Sequence, residues 1–444
     1  MNKVYEQLRE HVFSLDIIDT HEHLPAREEW RNQACDVLGE YLVHYMNCDL
    51  VSAGLRREKL AEVTDPSRPL MQRWRLIEPY WQAARNTGYA RSLDIAVRDL
   101  YGIERIDRST IEAVNAAFCA TRKAGETYEN VLKRKSRIRV SILDAIAGKG
   151  LECDRRYFVP AVRLDGFVML QNVGDVRRLA QQATMPAIHT LADLEEACER
   201  MLDDAISRGM VCLKTGLAYH RPLYFPKVRR SQAEREFNAL FGGDSFPCQE
   251  GAFRGATRIL QDHMMHHILR LADRRGLALQ VHTGLQEGNG NYIRHSDPSL
   301  LTNLFMEYTN VRFDCFHIGY PYQQVLAALA KNFRNVFIDF AWAHIISPTA
   351  AVAALVEHLD SVPANKISGF GGDYILVDGV YGHQYMAREN IARALAIKVE
   401  QGAFGMDDAR HIGKIILHDN PVAIFGLQEI LAKAGDMSAG APAN

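Results

Sequence analysis

Asp19-Thr20-His21-Glu22-His23 closes the apolar run Leu15-Asp16-Ile17-Ile18. Side chains on a strand alternate, so His21 and His23 face the same way. Two imidazoles on one face, just where a strand ends, make a candidate site for a divalent metal. The arrangement recurs along the chain. Met210-Val211-Cys212-Leu213 runs into Lys214, Leu277 to Val281 into His282, Val311 to Phe316 into His317, and Lys366 to Gly372 into Asp373. Each is a short β-rich run closed by a side chain able to serve such a centre, and glycine follows soon after most of them. Helical patterns separate the runs. Strand, ligand, loop and helix in repetition predict parallel strands whose carboxyl ends converge, the face on which a β/α barrel builds its active site.

The elements that must position these groups read in order. The first strand spans 16–22, and further strands fall at 137–144, 157–162, 210–214, 277–281, 311–316, 335–340 and 367–370. More than 110 residues separate the first two, far more than one β/α unit needs. Residues 30–135 are therefore expected to be a largely helical insertion beside the metal site, with helices over 70–101, interrupted near Asn86-Thr87-Gly88, and over 111–132 with Ser109 as cap. A helix at 191–208 carries Thr190 and Asp193 in capping-box spacing, and another at 251–275 ends at Gly276. His263, His266 and His267 flank the apolar stripe of the latter helix and read as surface residues. Residues 1–435 form one barrel domain, and 436–444 a flexible tail.

Composition narrows the class. The chain has 444 residues, a formal charge of −2, and eight cysteines without a Cys-x-x-Cys pair. Neither a disulfide framework nor a thiolate zinc site is indicated. No basic run with interleaved aromatics points to nucleic acid, no stretch approaches the roughly 18 apolar residues of a membrane span, and the polar N-terminus lacks a signal-peptide core. The expected partner is a small-molecule substrate in the cytoplasm, with no nucleic acid or membrane involved; homo-oligomerisation is compatible with the sequence.

Residues in the loops after the strands are candidates for substrate contact. Arg221 and Arg294 are placed to take a substrate carboxylate bidentately. Tyr292 lies in the same loop as Arg294, and Trp342 reads either as a pocket wall or as rim packing.

The order His-x-His, Lys, His, His and a late Asp resembles the amidohydrolase superfamily, above all its amidohydrolase-2 branch with the domain of FluG-type proteins, and more distantly the uronate isomerases. The resemblance is carried by DTHEHL at 19–24, CLKTGLAYHR at 212–221, LQVHTG at 279–284, FHIGYPY at 316–322, GGDY at 371–374 and HDNPVAIFGL at 418–427. It implies an α/β fold, a distorted (β/α)8 TIM barrel with a helical insertion after the first strand. It also implies one or two divalent ions, zinc foremost with manganese or iron also suited, held by His21, His23, Lys214, His282 and Asp373. Asp373 would be ligand and general base, and His317 a ligand or a hydrogen-bonding partner of water or substrate. Lys214 would be carboxylated and bridging, a free cation, or a salt-bridge partner. The implied activity is hydrolysis of an amide or ester-like bond in a small polar or acidic substrate by metal-activated water. The alternatives are a decarboxylase, a uronate-type isomerase, or a non-catalytic barrel with a regulatory role.

Overall fold

The computed structural model describes residues 3–32, 34–145, 149–242 and 258–439. Eight parallel strands follow one another in chain order: β1 (Ile17–Glu22), β2 (Ile138–Leu143), β3 (Phe158–Arg163), β4 (Cys212–Thr215), β5 (Ala278–Val281), β6 (Arg312–Cys315), β7 (Val336–Asp339) and β8 (Ile367–Ser368). The ring closes between the last strand and the first. Thr20 N–H donates to the Phe370 carbonyl (3.1 Å), Asp373 N–H to that of His21 (2.7 Å), and His23 N–H to that of Tyr374 (3.1 Å). The result is a (β/α)8 barrel. Its β1–β2 ladder changes register between Asp19 and Glu22, around His21, and β8 is short, so the barrel is irregular at the seam where the histidine pair sits.

Both faces of a parallel strand are covered, so nearly every strand residue is buried. Period 2 then stacks the interior in layers. On β4 and β5, Cys212 and Ala278 sit low in an apolar plug with Ile18, Val140, Ile142 and Val159, stoppered by Ile424, Phe425 and Leu427 from the chain's last quarter-turn around the barrel. Two residues further up, Lys214 and Gln280 begin a polar layer that includes Thr20, Ser141, Asp314 and Asp339, all buried. The amino-terminal end is thus sealed with hydrocarbon, and chemistry is confined to the carboxyl end.

Between β1 and β2 lie the helices Val37–Tyr41, Met46–Ser52, Leu60–Thr64, Leu70–Ala84, Gly88–Tyr101 and Ile111–Ala124. The last of these differs from the expected 111–132. Thr110, not Ser109, stands at its N-terminus, and Gly125 at φ 77° stops it before a π-helical turn at Glu129–Lys135. This assembly is docked tightly on the barrel. A Cβ on Gly382, in the helix Val377–Glu400, would lie 1.8 Å from the Ser92 carbonyl oxygen of Gly88–Tyr101, so only glycine permits that approach.

The capping box at Thr190 and Asp193 starts the helix Leu191–Ser207. The helix Arg258–Arg275 carries His263 and His266 into the interior, contrary to the surface position expected. His263 pairs with Glu195 (2.7 Å), and His266 lies between the Tyr308 hydroxyl (2.6 Å) and the Phe225 carbonyl (3.0 Å). Packing against neighbouring helices on two sides turns its apparent polar flank inward. The start of that expected helix, 251–257, lies outside the described residues, as does 440–444 of the expected tail; Gln428–Ala439 is helical. No helix among the described residues is long and apolar enough to cross a membrane.

Candidate metal centre

His21 and His23, at the end of β1, meet Asp373 from the loop after β8. The Nε2 atoms of the two histidines are 3.3 Å apart, and the Asp373 carboxylate is 3.1 Å from His23 Nε2 and 3.6 Å from His21 Nε2. The three ligand atoms lie within 4.8 Å of one another. Tautomers follow from the outer nitrogens. His23 Nδ1 reaches the Asp144 carbonyl (2.6 Å), and His21 Nδ1 faces Oε1 of Gln280 (3.3 Å), whose amide nitrogen donates to the Thr20 carbonyl. A carbonyl oxygen only accepts, so each Nδ1 carries the proton and each Nε2 presents a lone pair. Two lone pairs facing each other over a carboxylate repel unless a cation lies between them, and this donor set fits a divalent metal.

A second pair repeats the logic on the other side of Asp373. His282 Nε2 donates to the Leu285 carbonyl (2.9 Å) and His317 Nδ1 to that of Ala341 (2.7 Å), leaving His282 Nδ1 and His317 Nε2 bare and 3.1 Å apart. His317 Nε2 is 3.7 Å from the other Asp373 oxygen. The set therefore has donors for one ion at His21, His23 and Asp373, and a further imidazole pair adjoining it. Lys214 Nζ is buried beneath, 3.8 Å from the centre of the Phe316 ring.

Electrostatics keep these groups in ligand form. Burial, then the nearby Lys214 charge, holds the His21 imidazole well below its usual pKa; burial and His317 do so for His282, and burial lowers His317 to about 4. Burial pushes Asp373 upward, but the hydrogen bond with His23 and the fields of His21, His23 and His317 outweigh it, and its carboxyl stays well below the ordinary range. Burial and Arg163 bring Lys214 down to about 8.

Backbone strain gathers here. Five of the nine described non-glycine positions with φ between 50° and 62° lie at or beside the centre, Tyr45, His317, Ile318, Trp342 and Asp373, costly conformations that persist only where the surroundings impose them. Gly371 and Gly372 bring the Asp373 loop against β1. A Cβ on Gly372 would fall 1.6 Å from Glu22 Oε1, and one on Gly371 2.6 Å from Thr20 Oγ1. Glu22 is fully buried beside Asp19 and is pushed well above the usual carboxyl range by burial and by that neighbour.

A cavity of about 460 Å³ opens over the centre. Its wall includes His23, Lys214, His282 and Asp373 from the expected set. It also includes residues that the sequence did not single out: His44 and Tyr45 from the insertion, Arg163 at the end of β3, Asp165 just after it, and Glu287. Tyr45 donates its hydroxyl to the Asp373 carbonyl oxygen (2.5 Å), and Arg163 Nε lies 3.0 and 2.8 Å from the two Asp144 oxygens.

The four expected substrate contacts are elsewhere. Arg221 is turned away into a buried ion pair with Asp262 (2.5 Å) and a hydrogen bond to Gln261 (2.9 Å). Tyr292 and Arg294 are exposed and do not line the cavity; the loop after β5 folds outward there, with Tyr292 stacked on His295. Trp342 is buried behind the centre, stacked on Tyr45 (4.7 Å) and edge-on to His317 (5.0 Å). It braces a histidine instead of lining the cavity.

Comparison with known proteins agrees with this construction. The amidohydrolase family model matches residues 192–427, more than half of the chain. Protein fluG of Emericella nidulans is 26% identical over 152 residues, which is 34% of this chain and 18% of that protein, so the chain spans less than a fifth of that relative. Among solved structures, uronate isomerase from Thermotoga maritima superposes with a TM-score of 0.79 at 16% identity, covering 96% of this chain and 98% of the other. Glucuronate isomerase from Caulobacter crescentus gives 0.76 at 17%, covering 96% and 94%. At such identities these two likenesses speak to the fold, insertion included. Family model, barrel and convergent donors lead to one assignment: the chain belongs to the amidohydrolase family of metal-dependent barrel enzymes.

Proposed function

We propose that this protein hydrolyses an amide or ester-like bond in a small acidic substrate. The observation that carries the reading is the carboxylate of Asp373 faced by the bare nitrogens of His21, His23 and His317, on the floor of a cavity open to a small molecule. A divalent ion held there, zinc foremost, supplies a Lewis acid and lowers the pKa of water toward neutrality. Asp373, kept ionised, accepts the proton of the attacking water and returns it to the leaving group. His282 and His317, neutral and with lone pairs inward, accept hydrogen bonds without adding charge. Lys214 and Arg163 give the cavity its cations, and these receive the substrate's carboxylate. Tyr45 and Tyr219, both on the cavity wall, limit water around the reacting groups.

A second reading, isomerisation of a uronic acid, draws on the insertion. His44 brings a buried Nδ1 with no partner among the described residues to the cavity wall beside Tyr45, a second proton-handling group besides Asp373. Metal-loaded enzyme offered N-acyl amino acids, dicarboxylic acid monoamides, lactones and uronates, with products read by NMR, separates the two. Hydrolysis of at least one amide or ester, lost by 10²- to 10⁴-fold in Asp373→Asn and lost together with the bound metal in His21→Ala/His23→Ala, is the expected result. Conversion of uronates alone would overturn it.

A further inference from the structure

His23 is a shared wall. On the side away from the catalytic cavity it borders a second one, of about 590 Å³, roofed by the insertion and floored by the loops after β1, β2 and β8. Its volume is that of an ordinary small-molecule site. Leu24, Pro25, Val43, Ile375 and Trp30 make its walls largely apolar. Its charged lining is one-sided: Arg31, Arg122 and Lys149 against the single carboxylate of Glu40.

That carboxylate is already divided. Glu40 takes Arg31 Nη2 on Oε1 (3.3 Å) and Arg122 Nη1 on Oε2. Glu28 stands 4.0 Å from Arg31, but its oxygens accept the N–H groups of Thr127 and Tyr128. Arg122 is nine-tenths buried, and its Nε has no acceptor among the described residues. One carboxylate shared between two guanidinium groups leaves positive charge on this wall for an anion in the cavity to balance. Burial, and after it the Arg31 charge, also lowers the Arg122 pKa to about 10.

We infer that this second cavity is a binding site for a small carboxylic acid with an apolar body, the carboxylate on Arg122 and the body against Leu24, Pro25, Val43 and Trp30. The inference rests on the cavity and not on the reaction at the metal. The acid has two sources, the far end of the substrate passing His23 or a separate molecule, and both present the same chemistry.

Calorimetric titration of the metal-loaded enzyme with 3-phenylpropionate, against 3-phenylpropionamide as the uncharged control, tests it. The acid should bind at least tenfold more tightly than the amide, and Arg122→Gln should erase that preference. Since Arg122→Gln leaves Glu40 with one partner and risks the fold, Val43→Trp serves beside it, filling the cavity from a solvent-exposed position without touching a charge. It should weaken the acid at least tenfold. Displacement of 3-phenylpropionate by suberic acid monohydroxamate, but not by acetohydroxamate, marks the substrate's own end as occupant; simultaneous binding of the monohydroxamate marks a separate acid. Equal binding of acid and amide, or an affinity for the acid unchanged in both variants, overturns the site, whatever the enzyme hydrolyses.

Discussion

Gly372→Ala should be among the most damaging single-methyl additions in this protein, and its sign can be argued beforehand. Gly372 is not in the left-handed region, so its backbone accepts alanine, and where space allows such a change stabilises by about 0.4–1 kcal/mol through the unfolded chain. Space is absent. The added Cβ would lie 1.6 Å from Glu22 Oε1 and 2.6 Å from its Cδ, about half the distance real carbons tolerate. Glu22 is fully buried and accepts the Tyr374 N–H (3.1 Å), so it cannot swing into solvent. Overpacking costs about 1–3 kcal/mol, and loss of the Tyr374 hydrogen bond about 1 more, for a total of about 2–4 kcal/mol. The neighbouring Asp373 would move with the loop, and displacement by about 1 Å can cost 10²-fold in rate. Denaturant midpoints and metal content of Gly372→Ala, Glu22→Ala and the double variant form the assay. The double variant should regain most of the Gly372→Ala penalty, since the colliding side chain is gone. A single variant within about 0.5 kcal/mol of wild type with full metal, or an equal penalty on the Glu22→Ala background, would refute the reasoning.

Lys214→Met should keep metal at His21, His23 and Asp373, measured by elemental analysis, while raising KM for an acidic substrate about 10- to 100-fold, the worth of one charged hydrogen bond; loss of a metal equivalent would instead identify Lys214 as a carboxylated bridge. Stability of the metal-free protein should fall as pH drops from about 6.5 toward 4. His344 and His358 are buried with pKa values lowered to about 4, and His383 to about 3, so the unfolded chain binds protons in that window and the folded chain does not, each group costing at most about 3 kcal/mol. Denaturation midpoints at pH 7, 6 and 5 check this, and His358→Leu should flatten the slope. Arg221→Ala should destabilise by about 3–5 kcal/mol, because it strands Asp262 in the interior, yet leave KM of the folded enzyme unchanged; a selective rise in KM would return Arg221 to the substrate.

What the sequence disclosed is tied to period and to strand ends. All eight strands are marked by short β-rich runs, and a ligand closing a strand needs no tertiary knowledge to be placed on the carboxyl face. Hence His21, His23, Lys214, His282, His317 and Asp373 were legible. Arg163 carried the same signal, a cation closing Phe158–Arg163, but the run was read as ending at Val162, one residue short of it. His44 and Tyr45 carry no such signal. They sit on a turn within the insertion, and only its docking through contacts such as Gly382 against Ser92 brings them over the centre. Arg221 misled because a residue seven positions past Lys214 can point either way, and the 3-10 turn at Leu217–Tyr219 sends it to Asp262. His263 and His266 misled because one helix viewed alone does not reveal that both its flanks are covered.

The anchoring of the four imidazoles bears on how such a protein can change over time. Three of them, His23, His282 and His317, hand their outer proton to main-chain carbonyls of Asp144, Leu285 and Ala341, and every amino acid carries a carbonyl. Substitution at Leu285 or Ala341 leaves the acceptor in place, so that neighbourhood can drift without detuning the donors, whereas Asp144 is held back by its carboxylate on Arg163. His21 alone leans on a side chain, Gln280. Diversification is thereby steered outward, to the insertion and the loops around the cavity, while a mutational scan of the residues around the imidazoles should find its brittle spot at Gln280.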